Sequence, residues 1–285
     1  MRITLRQHAG FSLIELIMVI VLLGAVVALS SVFIVGPFQA YDDVRNRADL
    51  VNRANQALEL MHRELRNALP NSVRVTDSGN RHGVEFLRTT HGGRYREAYD
   101  GSGGGDILDF DAPDDSFDIM GTLPDDPDAP GTSWVVIYNL SAGGCTAGSD
   151  PNAYCGGPED NRAAMAADNS SSASSIQLDA PFRFPYRSPQ QRFYVVDTPV
   201  SFVCDEDTGE IRRFQGYGIQ AGQPINTGDF GGVSGALVVD GISSCSFAYD
   251  DGAGTRNGLV TAKLALTGQG ETISLLDQTH VLNAP

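Results

Sequence analysis

Hydrophobic and polar positions divide this chain into three stretches with different periods. Residues 1–10 are short and basic, with Arg2 and Arg6. An apolar run then extends from Phe11 to Val35. At about 1.5 Å rise per residue it forms a helix about 37 Å long, enough to cross a hydrocarbon layer of about 30 Å. Beyond it, Val44, Val51, Leu58 and Leu65 recur every seventh position, with Ala54, Met61 and Ala68 as companions. That period predicts an amphipathic helix from about Tyr41 to Leu69. Gly36-Pro37 lies between the two helical stretches and predicts a kink or loosening. Pro70 and Asn71 predict the stop.

From Ser72 onward, short apolar stretches alternate with turns. The pattern predicts strands at 84–88, 106–111, 134–140, 175–179, 192–196, 200–204 and 210–214. Further strands are predicted at 236–239, 244–249, 259–266 and 272–276, with an extension over 279–282. Gly268-Gln269-Gly270 predicts the turn of a terminal hairpin. Residues 142–175, rich in Gly, Ser, Ala and Asn, predict one long surface loop. The whole reads as an α+β protein. A long N-terminal helix, half transmembrane and half amphipathic, packs on an antiparallel β-rich head, because neither surface can bury its apolar face alone. The expected divisions are 1–10, 11–35, 36–70 and 71–285.

One residue does not suit an ordinary membrane anchor. Glu15 stands inside the apolar run. A carboxylate in hydrocarbon costs on the order of 2.5–3.5 kcal/mol or more, so it is a functional candidate by default. A place near the end of the span lowers the cost by snorkelling, and a tolerated interfacial residue is the ordinary alternative. A secretory signal peptide cut near Ala28-Leu29-Ser30 is a competing reading of the whole segment. The run is long for such a signal and contains a glutamate. A cut there would also discard a span that leads straight into another helix.

Charge and cysteine content narrow the picture. The chain of 285 residues has 20 Lys+Arg against 35 Asp+Glu, a formal net charge of −15. With no basic stripe, a nucleic-acid partner is not expected. The arginines before the span and the acidic body after it predict a cytoplasmic N-terminus and an exported head. Four cysteines, without a C-x-x-C pair, then predict disulfides in an oxidising compartment. Four allow three connectivities; Cys145–Cys155 and Cys204–Cys245 are the pairs expected, the first closing the long loop and the second tying two strands.

The segment Gly10-Phe11-Ser12-Leu13-Ile14-Glu15, followed by a long apolar helix, resembles the processing motif of type IV prepilins and type II secretion pseudopilins. The resemblance implies cleavage after Gly10 by a membrane prepilin peptidase and N-methylation of Phe11. It also implies pairing of Glu15 with the N-terminal amine of a neighbouring subunit. Residues 61–75 (MHRELRNALPNSVRV), 192–219 and the tail from Cys245 resemble larger minor pilins. The set is most similar to the MshO type of minor pilin in mannose-sensitive haemagglutinin (MSHA) pilus systems, with J-type minor pseudopilins as near neighbours.

These readings make the chain an expected minor pilin-like subunit in pilus assembly or initiation. Its expected partners are the prepilin peptidase, other major and minor pilins or pseudopilins, and the inner membrane. A type II secretion pseudopilin is the alternative within the class. A secreted binding or enzymatic domain with an ordinary signal peptide is the alternative outside it. No enzyme is expected, because H-E-x-x-H, G-x-S-x-G and P-loop patterns are missing. His8, His62, His82, His91 and His280 show no metal-ligand spacing. No cofactor is expected beyond a weak calcium possibility at Asp205, Asp207 and Glu210. Asp109–Asp118 and Asp125–Asp128 are further acidic groups, and none of the three has EF-hand spacing.

Overall fold

The computed structural model describes residues 10–123, 133–146, 150–156, 160–167, 172–252 and 257–283, with the backbone alone at 31–37. The leader up to Ala9 and the acidic group at Asp125–Asp128 lie outside these residues. The chain divides into two compact units, Met1–Asp49 and Leu50–Pro285.

Helix α1 runs over Leu13–Leu65. Ser12 caps it, accepting the Glu15 backbone N–H on its hydroxyl at 3.3 Å; a side-chain oxygen there satisfies one of the orphan donors of the first turn. The helix continues through Gly36-Pro37 without interruption. A proline removes one ladder hydrogen bond, and the flanking turns keep the rest. The helix ends four residues short of the predicted Leu69. Asn67 and Ala68 donate to the carbonyls of Glu64 and Leu65 in tight three-residue steps. Leu69 then donates to the Leu87 carbonyl at 2.8 Å, so the chain leaves the helix to join a sheet.

The first strands are β1 (Arg74–Ser78) and β2 (Arg81–Arg94), followed by β3 (Asp114–Asp118), β4 (Trp134–Val136), β5 (Arg162–Ala164) and β6 (Ser175–Phe182). Next come β7 (Arg192–Asp205), β8 (Glu210–Gln215) and β9 (Ala236–Asp240), and finally β10 (Ile242–Asp250), β11 (Gly258–Gly268) and β12 (Glu271–Val281). A seven-stranded antiparallel sheet has the order β1-β2-β7-β4-β5, with β8 pairing β7 and β9 pairing β8. A three-stranded sheet, β10-β11-β12, and the pair β3-β6 complete the head. The β11–β12 turn uses Gln269 at φ 49° and Gly270 at φ 85°. Two positive φ values in succession match the twist of a hairpin, which is why glycine belongs there.

Several predicted strands change shape. The two expected at 192–196 and 200–204 are one strand, β7. It pairs with β4 up to Val196 and with β8 from Val200. Pro199 falls in the gap between those neighbours, where a missing N–H interrupts neither ladder. Residues 106–111 are not a strand. The Asp109 carboxylate accepts the N–H groups of Asp111 and Ala112, a local turn that competes with extended pairing. Leu108 and Phe110 are buried all the same. Strand β4 stops at Val136, and Tyr138 adopts φ 58°. The predicted loop 142–175 contains β5, whose Ala163 is buried against β4.

The main core joins Leu50, Ala54, Ala57, Leu58, Met61 and Leu65 of α1 to Phe86, Phe202, Phe247 and Leu264 of the two larger sheets. Each such large side chain contributes about 1.5–3 kcal/mol on burial. The predicted stripe enters this core at Leu50. Val44 is 69 % exposed.

Candidate functional site

The N-terminal segment presents the predicted processing residues in accessible form. Gly10 and Phe11 precede the helix and are exposed. A Cβ placed on Gly10 would meet no atom within 4 Å, so no packing inside the chain requires glycine there. Glu15 lies in the first turn of α1, where the helix dipole favours a negative charge. Among the described residues its carboxylate has no partner. Around it, Leu13, Ile14, Leu16, Ile17 and Met18 are all exposed. The stretch Leu13–Ser30 is long and apolar enough to cross a membrane, and none of it is buried within the chain.

In the head, Cys145 is bonded to Cys155, with Cα atoms 5.3 Å apart. Cys204 is bonded to Cys245, with Cα atoms 6.7 Å apart. The second bond ties β7 of the large sheet to β10 of the three-stranded sheet. The first holds a segment whose Tyr154 is buried and donates its hydroxyl to the Ser72 carbonyl at 2.8 Å.

The three calcium candidates are held separately by the β7–β8 turn. Asp205 accepts from Arg81 Nε at 2.7 Å and from the Asp207 N–H at 3.0 Å. The Asp207 carboxylate accepts from the Asn80 side chain at 2.7 Å, and that of Glu210 from Arg212 Nε at 2.7 Å. Among the described residues, three potential metal-ligand atoms come within 4.8 Å of one another only at His82, Glu206 and Cys245.

Sequence reasoning missed a buried polar cluster. Glu85 is wholly buried, 3.0 Å from the Arg74 guanidinium. Arg74 also donates to the carbonyls of Gln220 and Ala221 and lies over the Tyr154 ring at 3.7 Å. Burial pushes the Glu85 carboxyl up to about 7, against the opposing pull of Arg74. Asp160 is likewise raised to about 7 by burial, opposed by Arg162. Arg74 and Ala221 are separated by 147 positions, so no local pattern could reveal the cluster. The apolar neighbours Val84, Phe86 and Leu87 were the sole local signal that this charge would be enclosed.

Residues 5–31 match the prokaryotic N-terminal methylation motif. No curated protein and no solved structure matches the chain. The matched residues contain Gly10, Phe11 and Glu15 and reach through most of the apolar run, so the N-terminus is similar to that of type IV pilin-like and pseudopilin proteins, and its stretch Leu13–Ser30 is long and apolar enough to cross a membrane.

Proposed function

We propose that this chain is a structural, non-catalytic minor subunit that takes part in the assembly or initiation of an MSHA-type type IV pilus. A prepilin peptidase cuts after Gly10, and the new terminus at Phe11 is N-methylated. The span is held in the inner membrane with its N-terminus cytoplasmic and its head periplasmic, in keeping with Arg2 and Arg6 before the span and the net charge of −15.

The observation that carries this reading is Glu15, without a partner among the described residues, on an exposed apolar helix four positions after the Phe11 that cleavage would expose. Cleavage places a positive amine in the same apolar surroundings. Pairing it with Glu15 of a neighbour relieves both charges, and desolvation makes a wrong register costly. The remaining helix surface moves from lipid into packing with like helices at little cost, since both surroundings are apolar. No cofactor is needed for this role. An ordinary export signal cut near Ser30 fits less well, because it would sever the continuous helix Leu13–Leu65.

Co-purification tests the choice of machine. A full chain expressed with MSHA-type pilins and, separately, with type II pseudopilins should be retained by the pilins. Retention by the pseudopilins alone would move the chain to a secretion apparatus.

A further inference from the structure

The Cys204–Cys245 disulfide is flanked by groups that its own covalent role does not use. His82 stands opposite Cys204 in the β2–β7 register. Its Nδ1 lies 2.6 Å from an Asp77 carboxylate oxygen. A carboxylate accepts only, so Nδ1 carries a proton, and in the neutral imidazole Nε2 then offers a lone pair. Nε2 faces Glu206, 3.7 Å from Oε1, and the same oxygen lies 3.9 Å from Cys245 Sγ.

We propose that the dithiol form of Cys204 and Cys245, together with His82 Nε2 and Glu206 Oε1, is a binding site for a zinc-class divalent cation. The disulfide and the metal are mutually exclusive occupants of one cross-link between the two large sheets. Reduction of the bond by an external dithiol takes up two electrons and two protons, giving two thiols and an oxidised reductant. A newly exported chain, not yet oxidised, begins in that state. Metal binding then releases two protons as both thiols become thiolates.

Five features support the site. Two thiolates, an imidazole nitrogen and a carboxylate oxygen are each zinc-ligand types and together make the four donors that a tetrahedral site takes. With zinc–ligand distances near 2.0–2.3 Å, tetrahedral donors lie about 3.3–3.8 Å apart. The gaps of 3.7 and 3.9 Å among His82, Glu206 and Cys245 close by a few tenths of an ångström, while Cys204, outside that group of three, must swing in as the opened bond lets the two sulfurs part. Asp77 supplies the second carboxylate that orients metal-bound histidines and fixes their tautomer.

The non-cysteine ligands are also held without the disulfide. The Glu206 N–H donates to the Asn80 carbonyl at 2.9 Å, and Arg81 binds Asp205 beside it. The cysteines are buried, whereas the His82 and Glu206 side chains retain 19 % and 26 % exposure, which leaves a way in. A metal there keeps Cys204 beside Cys245 until oxidation and withholds both from pairing with Cys145 or Cys155. The ordinary alternative is a protonated His82 bridged by two carboxylates, with no metal in either redox state.

Cobalt(II) titration of the full chain in detergent, reduced anaerobically with a phosphine, separates the two. We expect one Co²⁺ per chain, with tetrahedral d–d absorption and a thiolate-to-cobalt charge-transfer band. Oxidised chain should show neither. C145S/C155S should retain the signal, and H82A should weaken binding at least 10-fold. D77N, which spares every ligand, should weaken it on the order of 10-fold. A reduced wild-type chain without the charge-transfer band would overturn the site, as would a signal insensitive to H82A or one lost in C145S/C155S.

Discussion

Glu15 and Glu85 are carboxylates in opposite situations, and each yields a prediction. Glu15 is exposed on an apolar surface without a partner among the described residues, so its loss should leave the fold and the cleavage sequence intact. Glu15→Val is expected to be cleaved normally but to enter filaments at least 10-fold less well than the parent, read by immunoblotting of sheared filaments. Equal incorporation would remove the amine-pairing role. Glu85 is enclosed beside Arg74, and burial raises it from an ordinary 4.5 to about 7. Between those values the folded chain holds more protons than the unfolded chain. Stability from this group is therefore full below about pH 4.5 and is lost as pH rises through about 7. The loss is on the order of 3 kcal/mol, and Asp160, raised to a similar value, adds to it in the same window. Glu85→Gln should flatten the fall in denaturation midpoint between pH 5 and pH 8, and adding Asp160→Asn should flatten it further. An unchanged slope in the double variant would mean that neither carboxyl is held neutral.

Elements differed in how far local pattern could reveal them. The apolar run and the seven-residue period announce α1 because they are long and uninterrupted. Strands β8 to β11 are legible from their alternation and punctuating turns. Others depend on partners distant in sequence. Pro199 looks like a break until β4 and β8 are seen to divide β7 between them. Ala163 looks like loop until β4 pairs beside it. In 106–111 the alternation reported the burial of Leu108 and Phe110, while Asp109 bent the backbone into a turn. The helix–sheet core can be tested directly. Met61 is 1 % exposed at the centre of the α1 face. Met61→Ala should cost about 2–5 kcal/mol, measured as a shift in denaturant midpoint at unchanged slope. A cost below 1 kcal/mol would show that α1 does not anchor the head as described.

At the scale of the molecule, a helix with an exposed, membrane-length N-terminal stretch is joined to a head cross-linked by two disulfides. The processing motif was legible because it is a short continuous string, Gly10 to Glu15, set against a long apolar run. The environment of Cys204–Cys245 was not, because His82, Glu206 and Cys245 come together only through β2, the β7–β8 turn and β10. The second bond encloses 41 positions of chain, for which the loss of unfolded-state freedom corresponds to about 4 kcal/mol. Under oxidising conditions C204S/C245S should therefore lower head stability more than C145S/C155S, whose loop encloses 10, as read by thermal denaturation. The reverse order would place the greater constraint in the shorter loop.

The assembly role depends on how the chain begins after processing. Mass spectrometry of the N-terminal peptide of mature protein, isolated from cells that contain a prepilin peptidase, tests this most directly. The account predicts a first residue of N-methylated Phe11, and a Gly10→Val variant that keeps its leader. A mature chain beginning at Ser31, or an unprocessed chain in the presence of active peptidase, would contradict it.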